Sequence, residues 1–205
     1  MLKGEIFMLD YSGNLTGEPF LYIETRTIGR HLLNGEDKTQ LKKRVIDENL
    51  INYNKVSSIK RVLPAMFRRL DVMDKEMLEA FVNSDVETSK YILLYTIMKT
   101  DRLMRDFIAE IYKDKIYMRE EYIEKFEVTN WYQEKCAISE TLSKYNESTA
   151  KKLRQVITKI LQDSGLVIKE KDRFKIIRPL LSDRYIEMLS KNGDVVYAKA
   201  LGGLV

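Results

Sequence analysis

This 205-residue sequence predicts a mainly α protein: a helical bundle with a helix-turn-helix-like N-terminal part and a C-terminal winged helix with a short β-hairpin wing. Three observations lead there. Apolar residues recur at i, i+3, i+4 and i+7 through most of the chain, the spacing that lines one face of a helix. After Gly165 the pattern changes to two short β-prone runs, 166–169 and 173–178, around the polar turn Glu170, Lys171 and Asp172. Charge is segregated as well: residues 141–178 hold ten Lys plus Arg against four acids, a local +6 in a chain of net charge +4.

The chain divides into residues 1–70, 71–128 and 129–205. In the first part a Gly-punctuated leader occupies residues 1–18, and Pro19 opens a helix of residues 20–34 that Gly35 stops. Asp37 caps the next helix, with Leu41, Val45 and Ile46 inward and Lys38, Lys42, Lys43 and Arg44 outward. After a polar link at 52–55, Ser57 begins a third helix whose Ile59, Val62, Leu63, Met66, Phe67 and Leu70 share a face. Lys60, Arg61 and Arg68 cluster opposite. Pro64 lies inside this pattern and predicts a kink, or two helical pieces meeting near Leu63. Residues 49–70 hold five bases and no acid. That fits a second helix-turn-helix gripping duplex DNA, and equally a core helix with a solvated basic face.

Residues 71–127 reverse the balance, with fourteen acids against nine bases, and read as scaffold. Asp74 and Ser84 start helices there, the latter with Glu87 in a capping box. Ile92, Tyr95, Met98, Leu103, Phe107 and Ile111 follow a helical period without flanking bases, which marks core and not a base-stacking platform. The last part returns to helix at 129–145, with Trp131 buried against the wing module. Ser148 then caps a helix whose Leu153, Val156, Ile157, Ile160 and Leu161 form one buried stripe and which Gly165 ends.

Opposite that stripe lie Lys151, Arg154, Gln155 and Thr158, types that reach phosphates or bond base edges; Lys171 and Arg173 of the wing join them as candidate DNA contacts. A packed module with solvated lysines that docks protein instead is the competing reading. Ser182 caps a helix to Leu189, Gly193 breaks it, and Asp194 starts a last one ending at Gly202 and Gly203.

Composition limits the chemistry. One cysteine, Cys136, excludes an intramolecular disulfide, and with His31 as the one histidine it excludes zinc held by Cys and His alone. The N-terminal residues turn polar at Asp10 without a cleavage site, and the longest apolar run, 91–98, is broken by Thr96. A cytoplasmic protein without a membrane span is expected. Glu36-Asp37-Lys38 is the nearest approach to a nuclease element, but it opens a helix instead of sitting on a strand hairpin. Walker, nucleophile-elbow and dinucleotide motifs are absent, so no enzyme, cofactor, metal or small-molecule substrate is expected.

Three blocks carry a resemblance along residues 11–205. They are Glu24-Thr25-Arg26; Glu48-Asn49-Leu50 leading to Ser58, Lys60 and Arg61 with Arg69-Leu70; and Ser148-Thr149 with Lys151-Lys152-Leu153 leading to Gly165-Leu166. In order and spacing they resemble the BrxA family, small non-enzymatic subunits of BREX (bacteriophage exclusion) defence systems. The resemblance implies an all-helical protein of winged-helix character that binds double-stranded DNA beside larger BREX subunits. It implies Ser58, Lys60, Arg61 and Arg69 in one block, and Thr149, Lys151 and Lys152 in the other, as DNA contacts. Ser148 and Arg68 complete the candidate set, and Glu24 and Arg26 are expected to be structural. The alternatives are a protein-interaction adaptor in the defence complex and an RNA-binding regulator.

Overall fold

A computed structural model describes residues 9–202. Helices α1 (Tyr22–Leu33), α2 (Lys38–Asp47) and α3 (Val56–Asp71) come first, followed by α4 (Lys75–Asn83) and α5 (Val86–Thr100). α6 (Arg102–Phe107) runs through a π-helical turn, Ile108–Tyr112, into α7 (Lys113–Tyr117). Then come β1 (Tyr122–Glu124), α8 (Lys125–Ile138), α9 (Glu140–Ser143), α10 (Glu147–Asp163), β2 (Val167–Glu170), β3 (Arg173–Ile176), α11 (Asp183–Lys191) and α12 (Val195–Ala200).

The mainly α class with a C-terminal hairpin therefore holds, and the hairpin gains a third strand. The sheet runs β1-β3-β2, antiparallel throughout, with Ile123, Phe174 and Lys169 side by side in one row. At three residues β1 is too short to show a period of two in sequence. Residues 128 and 129 both lie within α8.

One continuous core joins the parts, from Ile28, Leu41 and Met66 through Tyr95, Met98 and Phe107 to Leu153, Ile157 and Ile160. The aromatic and methionine stripe lies within it, and all five stripe residues of α10 are buried. Trp131 is buried too, with α6 and the π-helical turn as neighbours. Its ring meets Phe107 edge-on at 4.9 Å, and its Nε1 donates to Glu110 of the π-helical turn. Asp194 precedes α12 without capping it, because its carboxylate accepts from Tyr95 Oη at 2.6 Å and pairs with Lys99.

Local signals set most helix ends. Asp37, Asp74 and Ser182 cap α2, α4 and α11 through their side chains, as expected. Two caps are shifted. Asp85, not Ser84, takes Thr88 N–H at the start of α5, and Asn146, not Ser148, takes Thr149 N–H at the start of α10. In both cases the side chain that accepts the N–H three residues on is the cap, so the neighbouring serine is left over. Gly165 closes α10 at φ +86°, a left-handed turn that lets Leu166 N–H reach back to Leu161.

α3 runs unbroken through Pro64. The ring sits on the exposed side, where the carbonyl of Lys60 that loses its partner lies on an accessible stretch.

The expected start at Pro19 is also displaced. Pro19 and Phe20 stay outside the helix because the buried Arg69 guanidinium takes the carbonyls of Glu18, Pro19 and Phe20 at 2.9–3.0 Å, and Leu21 turns at φ +54° before α1. Upstream, Asn14–Gly17 form a 3-10 turn. The leader's residues 1–8, and Gly203, lie outside the described residues.

Close to Arg69, Asp101 caps α6 by accepting from Met104 N–H. Burial lifts its carboxyl to about 6, against 3.8 for an ordinary aspartate. A folded-state pKa raised in this way means that the native protein binds the proton more tightly. Its contribution is therefore full below about pH 4 and is lost as pH rises through about 6, a change on the order of 2–3 kcal/mol. Asn at this position retains the cap acceptor without titrating. The difference in urea-unfolding free energy between wild type and Asp101→Asn is expected to change between pH 4 and pH 7 in that sense. A difference that is constant with pH rejects the assignment.

Candidate nucleic-acid interface

A cleft of about 980 Å³ opens along the polar face of α10. Its other walls are the first turns of α8, contributing Lys125, Val128 and Thr129, and the inner face of the sheet, contributing Lys169 and Phe174. From α10 come Lys151, Lys152, Arg154, Gln155 and Lys159, with Glu147 as the acid. The helix was amphipathic by sequence, so burying its apolar stripe necessarily turns this basic face outward.

Ion pairing sorts the cations. Lys125 is bound to Asp172 of the hairpin tip, whose carboxyl it holds below the usual range, and Lys159 is bound to Asp163. Arg154 donates to Glu147 at 2.7 Å and lies over the Tyr132 ring. Among the described residues Lys151, Lys152 and Lys169 make no ion pair, and Lys151, Lys152, Lys169 and Gln155 are all exposed. An incoming anion meets these three ammonium groups without having to displace an internal carboxylate.

The remaining residues of the expected set divide. Ser148 is exposed and donates to Asn146 Oδ1, and Thr149 is half-buried beside it. Lys171 is exposed at the hairpin tip, with φ +24°. Arg173 is exposed but stands on the other face of the sheet, its guanidinium 3.7 Å from the centre of the Tyr122 ring, because its neighbour Phe174 points inward and strand side chains alternate. Thr158, expected on the polar face, is buried, with its hydroxyl bonded to the carbonyls of Arg154 and Gln155.

On α3, Ser58 and Arg61 line a second, smaller depression of about 420 Å³ together with Asn52, Tyr53, Asn54 and Lys55. Lys60 is exposed outside it. Arg68 is half-buried and paired with Glu18. Arg69 must be removed from the candidate contacts: only 1% of it is exposed, and its Nη1 and Nη2 donate to three backbone carbonyls. Burial also lowers its pKa to about 10, so its role is to hold the backbone before α1. Glu24 accepts from Tyr53 Oη, and Arg26 donates to the carbonyls of Val82 and Ser84, so both are structural but not paired with each other.

Sequence reasoning passed over Lys125, Lys159 and Lys169. For Lys169 a signal was present, since it shares a sheet row with Phe174, whereas Lys125 belongs to a stretch whose net charge is acidic. Among the described residues there is no cluster of His, Cys, Asp and Glu able to hold a metal ion, and no helix is long and apolar enough to cross a membrane.

Comparisons with known proteins bear on the family and the fold. The BrxA family profile matches residues 9–193. A BREX protein BrxA from Bacillus cereus (strain H3081.97) is 31% identical over 193 residues, 94% of this chain and 96% of the relative. One from Escherichia coli O9:H4 (strain HS) is 23% identical over 158 residues, covering 76% of this chain and 73% of its own. A crystal structure of a protein from Magnetospirillum magneticum superimposes with a TM-score of 0.79 at 18% identity, over 94% of this chain and 98% of that one.

Proposed function

The chain belongs to the BrxA family, and on that premise we propose that it is a non-catalytic, double-stranded DNA-binding accessory subunit of a BREX phage-defence system, acting in the cytoplasm beside other BREX subunits. The observation that carries the DNA reading is the α10 cleft, where Lys151, Lys152 and Lys169 face solvent from two walls without an ion pair among the described residues. In this reading α8, α10 and the hairpin act as a winged helix that grips the phosphate backbone. Phosphate contacts release counterions and carry little sequence information, so affinity depends steeply on salt and weakly on sequence. Ser148, Thr149, Gln155 and Lys171 are the accompanying polar contacts.

Anisotropy of a labelled random-sequence duplex of about 30 base pairs, titrated at several salt concentrations, tests this directly. Linear loss of log affinity with log salt is the expected result, with a duplex RNA of the same length competing more weakly. Absence of binding at low salt would reject DNA as the partner. Copurification with another BREX subunit that survives nuclease treatment would then identify the basic faces as protein-docking surfaces.

A further inference from the structure

The cleft on α10 and the depression on α3 belong to different ends of the sequence, yet one short segment touches both. Residues 12–20 form a strap across the molecule, and its 3-10 turn packs on α10. Gly13 lies so close to Tyr145, just ahead of α10, that an added Cβ would come within 2.9 Å of the phenol oxygen. Pro19 forms part of the cleft wall. Two residues earlier, Gly17 lies against the stem of Arg61, whose Cδ would be 3.9 Å from an added Cβ. Arg61 in turn lines the α3 depression with Lys55 and Ser58. Residues 17–19 thus touch the wall of one depression at Pro19 and a side chain lining the other at Gly17.

The strap is also suited to lie under a polyanion. Ser12, Gly13, Asn14, Leu15, Thr16, Gly17, Pro19 and Phe20 carry no charge, and the one acid among them, Glu18, is neutralised by Arg68. On its far side Lys55 and Arg61 are exposed and make no ion pair among the described residues, matching Lys151, Lys152 and Lys169 on the near side. A free carboxylate on the strap would repel a phosphate backbone passing from one station to the other, and the strap's single acid, Glu18, is paired with Arg68. Arg69 fixes the strap's last residues through its three carbonyl contacts, so the spacing of the two stations is built into the fold.

We propose that a single DNA duplex crosses this strap and engages the α10 cleft and the α3 depression in one binding event. The proposal rests on the DNA reading given above, and it assigns Lys55, Ser58 and Arg61 to the same footprint as Lys151 and Lys152. It also decides between the two roles open to α3: its basic face is a contact surface, not simply a solvated side of a core helix.

The test uses the full chain, random-sequence duplexes and two double charge reversals, Lys55→Glu with Arg61→Glu and Lys151→Glu with Lys152→Glu, all four at exposed positions. Each pair is expected to weaken the same single transition roughly tenfold or more and to flatten the slope of log affinity against log salt by about two. A chain saturated with one labelled duplex is expected to capture no second duplex of another colour. Capture of a second duplex would overturn the bridge, as would an unchanged salt slope in the Lys55 and Arg61 pair, while leaving DNA binding at the cleft intact. Loss of all binding by the wild-type chain at low salt would overturn both.

Discussion

Reversing Lys151 and Lys152 to glutamate together is expected to lower affinity for duplex DNA by roughly a hundredfold at low salt, leaving the fold intact. Each residue is exposed on the cleft side of α10 and forms no ion pair among the described residues, so removing its charge costs the native state almost nothing. For the complex the loss is double. Two phosphate contacts disappear, together with their released counterions, and two carboxylates then face the backbone. The log-log salt slope should fall by about two, and affinity should decline uniformly across sequences, since phosphate contacts do not read bases. Thermal midpoints within a few degrees of wild type would accompany this result. Affinity retained at low salt by the variant would remove α10 from the interface.

Arg69→Ala is expected to act on the opposite quantity. It should destabilise the protein by about 3–5 kcal/mol, because the carbonyls of Glu18, Pro19 and Phe20 lose their donor in a site from which water is largely excluded. Urea unfolding should show a lower midpoint at an unchanged denaturant slope. Arg69→Lys should recover only part of the loss, since an ammonium cannot reproduce the planar fork that spans three successive residues. The resemblance to the family placed Arg69 among the DNA contacts, and this variant separates the two roles. A phosphate ligand would change the salt slope and spare stability; a loss below about 1 kcal/mol would reject the structural assignment.

The contrast between these two arginine and lysine sites shows where reading a sequence stops. Both lie on strongly amphipathic helices, and both are basic residues near other basic residues. For α10 the local pattern sufficed: the stripe Leu153, Val156, Ile157, Ile160 and Leu161 faces inward, so Lys151 and Lys152 face outward. On α3 the resemblance misplaced Arg69, since what captures it is the carbonyl run of residues 18–20, about fifty positions away. Similar distances separate Lys125 from Asp172 and β1 from β3, and Asp194 lies 99 positions from Tyr95.

By itself, then, the sequence determined the helices, the caps Asp37, Asp74 and Ser182, the hairpin, the basic face of α10 and the resemblance to a family of defence proteins. All but the resemblance, which rests on the order of blocks along the chain, depend on residues a few positions apart, where backbone periodicity and side-chain capping act locally. Tertiary structure alone decided which cations are free and which are paired, that β1 completes the sheet, and that Pro19 and Gly17 bring a cleft on α10 beside a depression on α3. Those outcomes depend on partners far apart in the chain, which only the packing of the core brings within bonding distance.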